Sequence, residues 1–100
     1  MKNPVASFQI SACFKIAARG IVLAGTIKDG YISIGDTIVF SAFDQLRRRK
    51  IIGIESIRSS GPIDVNNTGI LIRCENEAEM EELRQWEVEN YLAQIFSESD

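Results

Sequence analysis

The stretch from Ala17 to Phe40 constrains this chain more than any other. Four glycines, Gly20, Gly25, Gly30 and Gly35, separate short runs rich in Ile, Val and Thr. Such runs suit a pleated, half-buried surface, and glycine supplies the positive φ that tight connections need. Asp29-Gly30 between two apolar runs predicts a hairpin turn, and Gly35-Asp36 predicts a second turn. The expected order is strand, tight turn, short strand, turn, strand, all within one sheet.

The flanking segments extend this pattern. Phe8, Ile10, Ala12, Phe14 and Ile16 alternate with Ser7, Gln9, Ser11, Cys13 and Lys15, a period of two that predicts a strand with one buried face. Ile21, Leu23, Gly25 and Ile27 are expected on one face of the next strand, and Thr37 to Phe40 form another. Ala42 to Leu46 is expected to be a connection with Asp44 in the turn. Beyond it, Ile52 and Ile54 alternate in a strand that follows Arg47-Arg48-Arg49-Lys50. Ser59-Ser60-Gly61-Pro62 reads as a loop and Asn66-Asn67-Thr68-Gly69 as a turn, followed by a short buried strand at Ile70-Leu71-Ile72.

After Cys74 the character changes. Asn76, with Glu79 three residues on, has the form of a helix N-cap with a capping-box partner. An acidic helix is expected over 76–90, with Met80, Leu83 and Trp86 as the stripe that docks it. Tyr91 to Phe96 either extends that helix or returns to the sheet as a closing strand, and the strand is the preferred reading. Residues 97–100 are expected to fray. Many short strands with glycine turns and one helix predict a mainly all-β fold. The expected form is a small closed antiparallel β-barrel with one C-terminal helix, in a single domain over 1–100 whose barrel core spans 7–74.

Charge is divided along the chain. Residues 1–74 hold ten Lys or Arg against five Asp or Glu, whereas residues 75–100 hold nine acids against Arg84 alone. The acids are expected on the solvated face of the helix. No apolar run has the length of a membrane span. Met1-Lys2-Asn3-Pro4 begins without an apolar secretion signal, and no membrane partner is expected. The initiating Met1 and the frayed acidic end suggest a natural short chain, with a fragment the open alternative. The two cysteines, Cys13 and Cys74, lack metal-ligand spacing and read as small core hydrophobes in a reduced, cytoplasmic setting.

Catalysis is not expected. The chain has no histidine, Cys13 has no base beside it, and Asp29, Asp36, Asp44 and Asp64 all read as turn residues. No metal or cofactor is implied. The run Arg47, Arg48, Arg49 and Lys50 is the candidate polyanion patch, since phosphate binding is largely a charge effect. In a strand, however, these side chains alternate faces and cannot form one patch. A charged, solvated edge is the competing explanation. Glu55 is expected on the outward face.

The order of motifs resembles the second domain of elongation factor Tu, the β-barrel shared by translational GTPases. The matching features are Ala18-Arg19-Gly20, Gly25-Thr26-Ile27, Asp29-Gly30, Ile34-Gly35-Asp36, Lys50-Ile51-Ile52-Gly53-Ile54-Glu55 and Asn66-Asn67-Thr68-Gly69-Ile70-Leu71-Ile72-Arg73. Together they cover about Phe8 to Cys74. The resemblance implies a barrel that helps hold the acceptor end of aminoacyl-tRNA. By position, Glu55 matches the glutamate that contacts the terminal adenosine. Arg58 matches the basic residue three positions later, and Asn67 the asparagine near the aminoacyl group.

Four departures accompany the resemblance, one being that the family's usual glycine before its last strand is absent between Leu83 and Phe96. Ile57 stands where the family often has a histidine or aromatic residue, and the loop between Arg58 and Asn67 is shorter. No GxxxxGK[ST] loop is present, so neither a bound nucleotide nor GTPase chemistry is expected of this chain. The expected function is a non-catalytic binding module contacting tRNA or ribosomal RNA. The alternative is a protein-interaction or self-associating module that keeps the fold without RNA binding.

Overall fold

The computed structural model describes residues 3–16, 20–58 and 66–98. Six strands and one helix lie among them: β1 (Ala6–Ile16), β2 (Gly20–Gly30), β3 (Thr37–Ala42), β4 (Gln45–Arg58), β5 (Asn66–Ile72), α1 (Glu77–Leu83) and β6 (Tyr91–Phe96). The strands close into a barrel in the order β1-β2-β5-β4-β3-β6, with every ladder antiparallel. This is the small barrel with one helix expected from the sequence. The preferred reading of Tyr91 to Phe96 holds too: β6 joins β1 on one side and β3 on the other.

Alternation supplies the core, and bulges reset it. Ala6, Phe8 and Ile10 point into the barrel, together with Ile21, Leu23, Ile38, Phe40, Ile51, Ile70, Ile72 and Ile95. In β1 the simple period of two does not persist. A register shift between Ile10 and Ala12 inserts Ser11 as an extra residue. A bulge of this kind moves every following side chain to the opposite face. Cys13 therefore packs against the core, while Phe14, expected inside, is 40 % exposed. A second shift between Ile51 and Gly53 does the same in β4. Ile51 is fully buried and Ile54 packs against the same core, so the inward pair is Ile51 and Ile54 and not Ile52 and Ile54.

The turns differ from expectation in three places. Asp29-Gly30 is no hairpin, because β2 runs through to Gly30 with Ala6 opposite it. Gly30 is required there for another reason: its φ is 79°, and a Cβ would strike the Val5 carbonyl. Asp29 instead accepts a hydrogen bond from Ser7 Oγ at 2.8 Å. Residues 66–69 form the start of β5, not a turn. The connection at Ala42 to Leu46 narrows to Phe43 and Asp44, whose φ values of 53° and 62° make a two-residue turn with both central residues left-handed. The Gly35-Asp36 turn forms as expected, with Asp36 Oδ2 accepting from the Ser33 amide at 3.0 Å. The readings at Ala17-Ala18-Arg19, Ser59 to Pro62 and Asp64 lie outside the described residues.

The helix is shorter than the expected 76–90. It ends at Leu83, capped by Arg84. Trp86 then leaves the helical path to stack on Phe40, with centroids 5.5 Å apart, and meets Tyr91 edge-on at 6.0 Å. Tertiary packing of the indole thus overrides a sequence of good helix formers. The Tyr91 hydroxyl accepts from the Ser41 amide at 2.9 Å, joining β3 and β6 beyond their three paired positions.

Gly25 is set against β1 so closely that a Cβ would collide with the Gln9 carbonyl. Gly25→Ala should therefore lower the unfolding free energy by about 2–4 kcal/mol, because backbone and not a flexible side chain must yield. Urea denaturation measures this; an unchanged midpoint would show that β1 gives way without cost.

Candidate nucleic-acid interface and the ion-pair lock beneath it

The four cations of β4 are divided by the strand's own geometry. Successive side chains leave a strand on opposite faces, so Arg47 and Arg49 turn toward α1, while Arg48 and Lys50 turn to solvent. Arg47 is only 4 % exposed. Its Nη1 donates to Glu79 Oε2 at 2.9 Å and its Nη2 to Glu82 Oε1 at 2.8 Å. Arg49 Nε donates to both Glu79 oxygens at 2.9 and 3.1 Å, and its Nη2 donates to Glu75 Oε1 at 2.7 Å and again to Glu79.

Glu79 is the hub of this cluster. It is 8 % exposed and also accepts from the Glu75 amide at 2.7 Å. Asn76 caps α1 as expected, its Oδ1 accepting from the Glu79 amide at 2.9 Å. The reciprocal half of the capping box is displaced by one residue, since the Glu79 carboxylate takes the Glu75 amide while it binds the arginines. Burial by itself would raise the Glu79 carboxyl. Hydrogen bonds from Arg49, the Glu75 amide and Arg47 outweigh burial and hold it at about 2, against an ordinary value of 4.5.

These contacts correct one expectation drawn from the sequence and refine another. The acids of α1 are not simply a solvated face, because Glu79 is buried and Glu75 and Glu82 reach back to the barrel. The run Arg47 to Lys50 divides as its alternation implied, and the inward half is neutralised by those acids. The signal lay in two spacings read separately: arginines two apart on a strand, and Glu75, Glu79 and Glu82 at helical intervals of four and three.

α1 also ties to the opposite side of the barrel. Lys15 Nζ on β1 donates to Glu81 Oε2 at 2.7 Å, and Cys13 Sγ donates to the Leu83 carbonyl at 3.2 Å. In a ring of six strands β1 and β4 lie across from each other, so α1 spans one mouth of the barrel. Leu83, the last residue of α1, is fully buried. Burial, with Cys74 nearby, pushes the Cys13 thiol up to about 12, and burial together with Glu79 pushes Cys74 up to about 11. Thiols held so far above neutrality are poor nucleophiles. Among the described residues no group of three or more His, Cys, Asp or Glu is arranged to hold a metal ion.

The outward half of the run is different. Arg48 and Lys50 border a groove with Thr37 and Val39 of β3 and Gln94 and Phe96 of β6. Lys50 Nζ meets Glu98 Oε1 at 3.0 Å in an exposed pair, a contact of little energetic weight. The Arg48 guanidinium has no hydrogen bond or ion pair among the described residues. Leu46, 66 % exposed, and Leu92, 57 % exposed, continue the same face.

Glu55, Arg58 and Asn67 belong to the far part of β4 and its ladder with β5. The register pairs Glu55 with Gly69, Ile57 with Asn67 and Arg58 with Asn66. Three ladder steps thus bring the backbones of these positions to one end of the hairpin. Glu55 is exposed as expected, and the side chains of Arg58 and Asn67 lie outside the described residues. Glu55 is about 17 Å along the strand from Lys50 at ordinary strand rise, so the two candidate sets are separate surfaces.

Glu79→Ala should destabilise the fold by about 3–5 kcal/mol, because it leaves the buried Arg47 without its main partner. Thermal or urea unfolding of the variant measures this, and a loss below 1 kcal/mol would show the cluster to be dispensable. The pH dependence follows from the depressed carboxyl: its stabilisation is complete above about 4.5 and drains away as pH falls toward about 2. Glu79→Gln should flatten that acid limb of the stability curve. An acid limb identical to that of the unaltered chain would assign it to other carboxylates.

Against known protein families, the sequence matches no family model.

Proposed function

We propose that this chain is a non-catalytic binding module of the translation-factor barrel kind, contacting tRNA or ribosomal RNA in the cytoplasm. The observation that carries the reading is the division of β4. The acids of α1 engage Arg47 and Arg49, yet Arg48 stays outward and unengaged among the described residues, with Lys50 beside it in a groove that contains Phe96. A cation kept clear of the chain's own carboxylates, next to an aromatic ring, suits a phosphate backbone with bases attached. The motif order and Glu55, Arg58 and Asn67 support the same reading by resemblance. The raised Cys13 and Cys74 thiols and the absence of histidine speak against catalysis.

A second reading, self-association or binding of a protein, is favoured by Leu46 and Leu92, which carry the groove into apolar surface. Fluorescence anisotropy with a labelled tRNA acceptor stem, charged and uncharged, at two salt concentrations separates the two. Under the RNA reading, Arg48→Ser with Lys50→Ser should weaken binding and lower the salt slope by about two. Failure of the unaltered chain to bind RNA at low salt, with a concentration-dependent sedimentation coefficient, would support the second reading.

A further inference from the structure

The outward face of β6, β3 and β4 is laid out in rows. Register pairs Phe96 with Thr37 and Thr37 with Lys50, and in the next outward row Gln94 with Val39 and Val39 with Arg48. No register shift interrupts either ladder. Each row therefore has a cation at the β4 end and a ring or amide at the β6 end. The ends are separated by two interstrand spacings, about 9.6 Å. Successive rows stand two residues apart, about 6.8 Å.

We infer that this face is a platform for an unpaired RNA segment, with phosphates following Lys50 and Arg48 along β4 and bases crossing β3 toward Phe96 and Gln94. The inference rests on the RNA-binding reading above and specifies the strandedness and orientation of the ligand. The row length is close to the reach from a phosphate to the far edge of its base, and the row spacing is close to that of consecutive nucleotides in an extended single strand. A duplex keeps its base faces stacked inside and cannot offer one to a ring on an outer barrel wall, whereas unpaired bases can stack on it. Charge complementarity selects the occupant: two cations line one border of the groove, and Glu98 meets Lys50 only in an exposed pair. Gln94 adds a donor and an acceptor for a base edge.

The probe is fluorescein-labelled hexauridylate, compared by anisotropy with a blunt RNA duplex bearing the same label. The single strand should bind more tightly than the duplex. Phe96→Leu, which keeps apolar volume but removes the ring, should weaken single-strand binding about tenfold. Phe96→Trp should retain it, and Arg48→Ser should lower the salt slope by about 0.7. Equal urea midpoints for the Phe96 variants ensure that affinity is compared between folded proteins. RNA binding that favours duplex or ignores Phe96→Leu would overturn the platform and leave the broader RNA reading standing. No binding of either RNA would overturn both. A dimer or an acidic-peptide complex broken by Phe96→Leu, without RNA binding, would reassign the face to protein.

Discussion

The Glu79 carboxylate, held between Arg47 and Arg49, is the contact on which the rest of the arrangement depends. A helix of seven residues has no independent stability in water, and α1 exists because it is fastened at both ends of its span. One end is the arginine pair on β4, the other is Lys15 and Cys13 on β1. A buried ion pair is no guarantee of net stabilisation over an apolar substitute, but it is strict about geometry. Here it fixes the phase of β4: with Arg47 and Arg49 committed inward, Arg48 and Lys50 have only the outer face available.

Phase is the common theme of the barrel. Its strands are long enough that a strict alternation would send Phe14 inward and Cys13 outward. One inserted residue at Ser11 reverses both. The bulge in β4 likewise brings Ile51 and Ile54 to the same side despite their odd separation. Such bulges also bend and twist the strand, which a closed six-stranded sheet requires. The barrel thus accepts breaks in pattern as the condition of closing.

The β content, the closure, the N-cap at Asn76, the turn at Gly35-Asp36 and the returning strand at Tyr91 to Phe96 were all legible in the residues, because each depends on local propensity or a short periodicity. What escaped was non-local. Nothing within β1 marks Ser11 as an extra residue, since its bulge is defined by a partner on β2. The helix stops early because Trp86 finds Phe40, forty-six positions away. For the candidate site, alternation alone foretold that Arg47 to Lys50 would divide, and the exposure of Glu55 was likewise readable. The pairing of that run with an acidic helix thirty residues downstream was not, because composition shows two opposite charges and is silent on which will meet.

The seam between β1 and β6 has a consequence for the order of assembly. All of β6's ladders run to β1 and β3, so until it docks, the other five strands form an open sheet with those two strands as bare edges. The β1–β6 contacts that seal the ring join residues nearly a full chain length apart, and such non-local pairings are entropically costly to close. During that interval the unsealed sheet can accept a strand from a neighbouring molecule in place of its own. With β6 displaced, β1 and β3 would each present a row of unpaired backbone groups that a strand from another copy could fill.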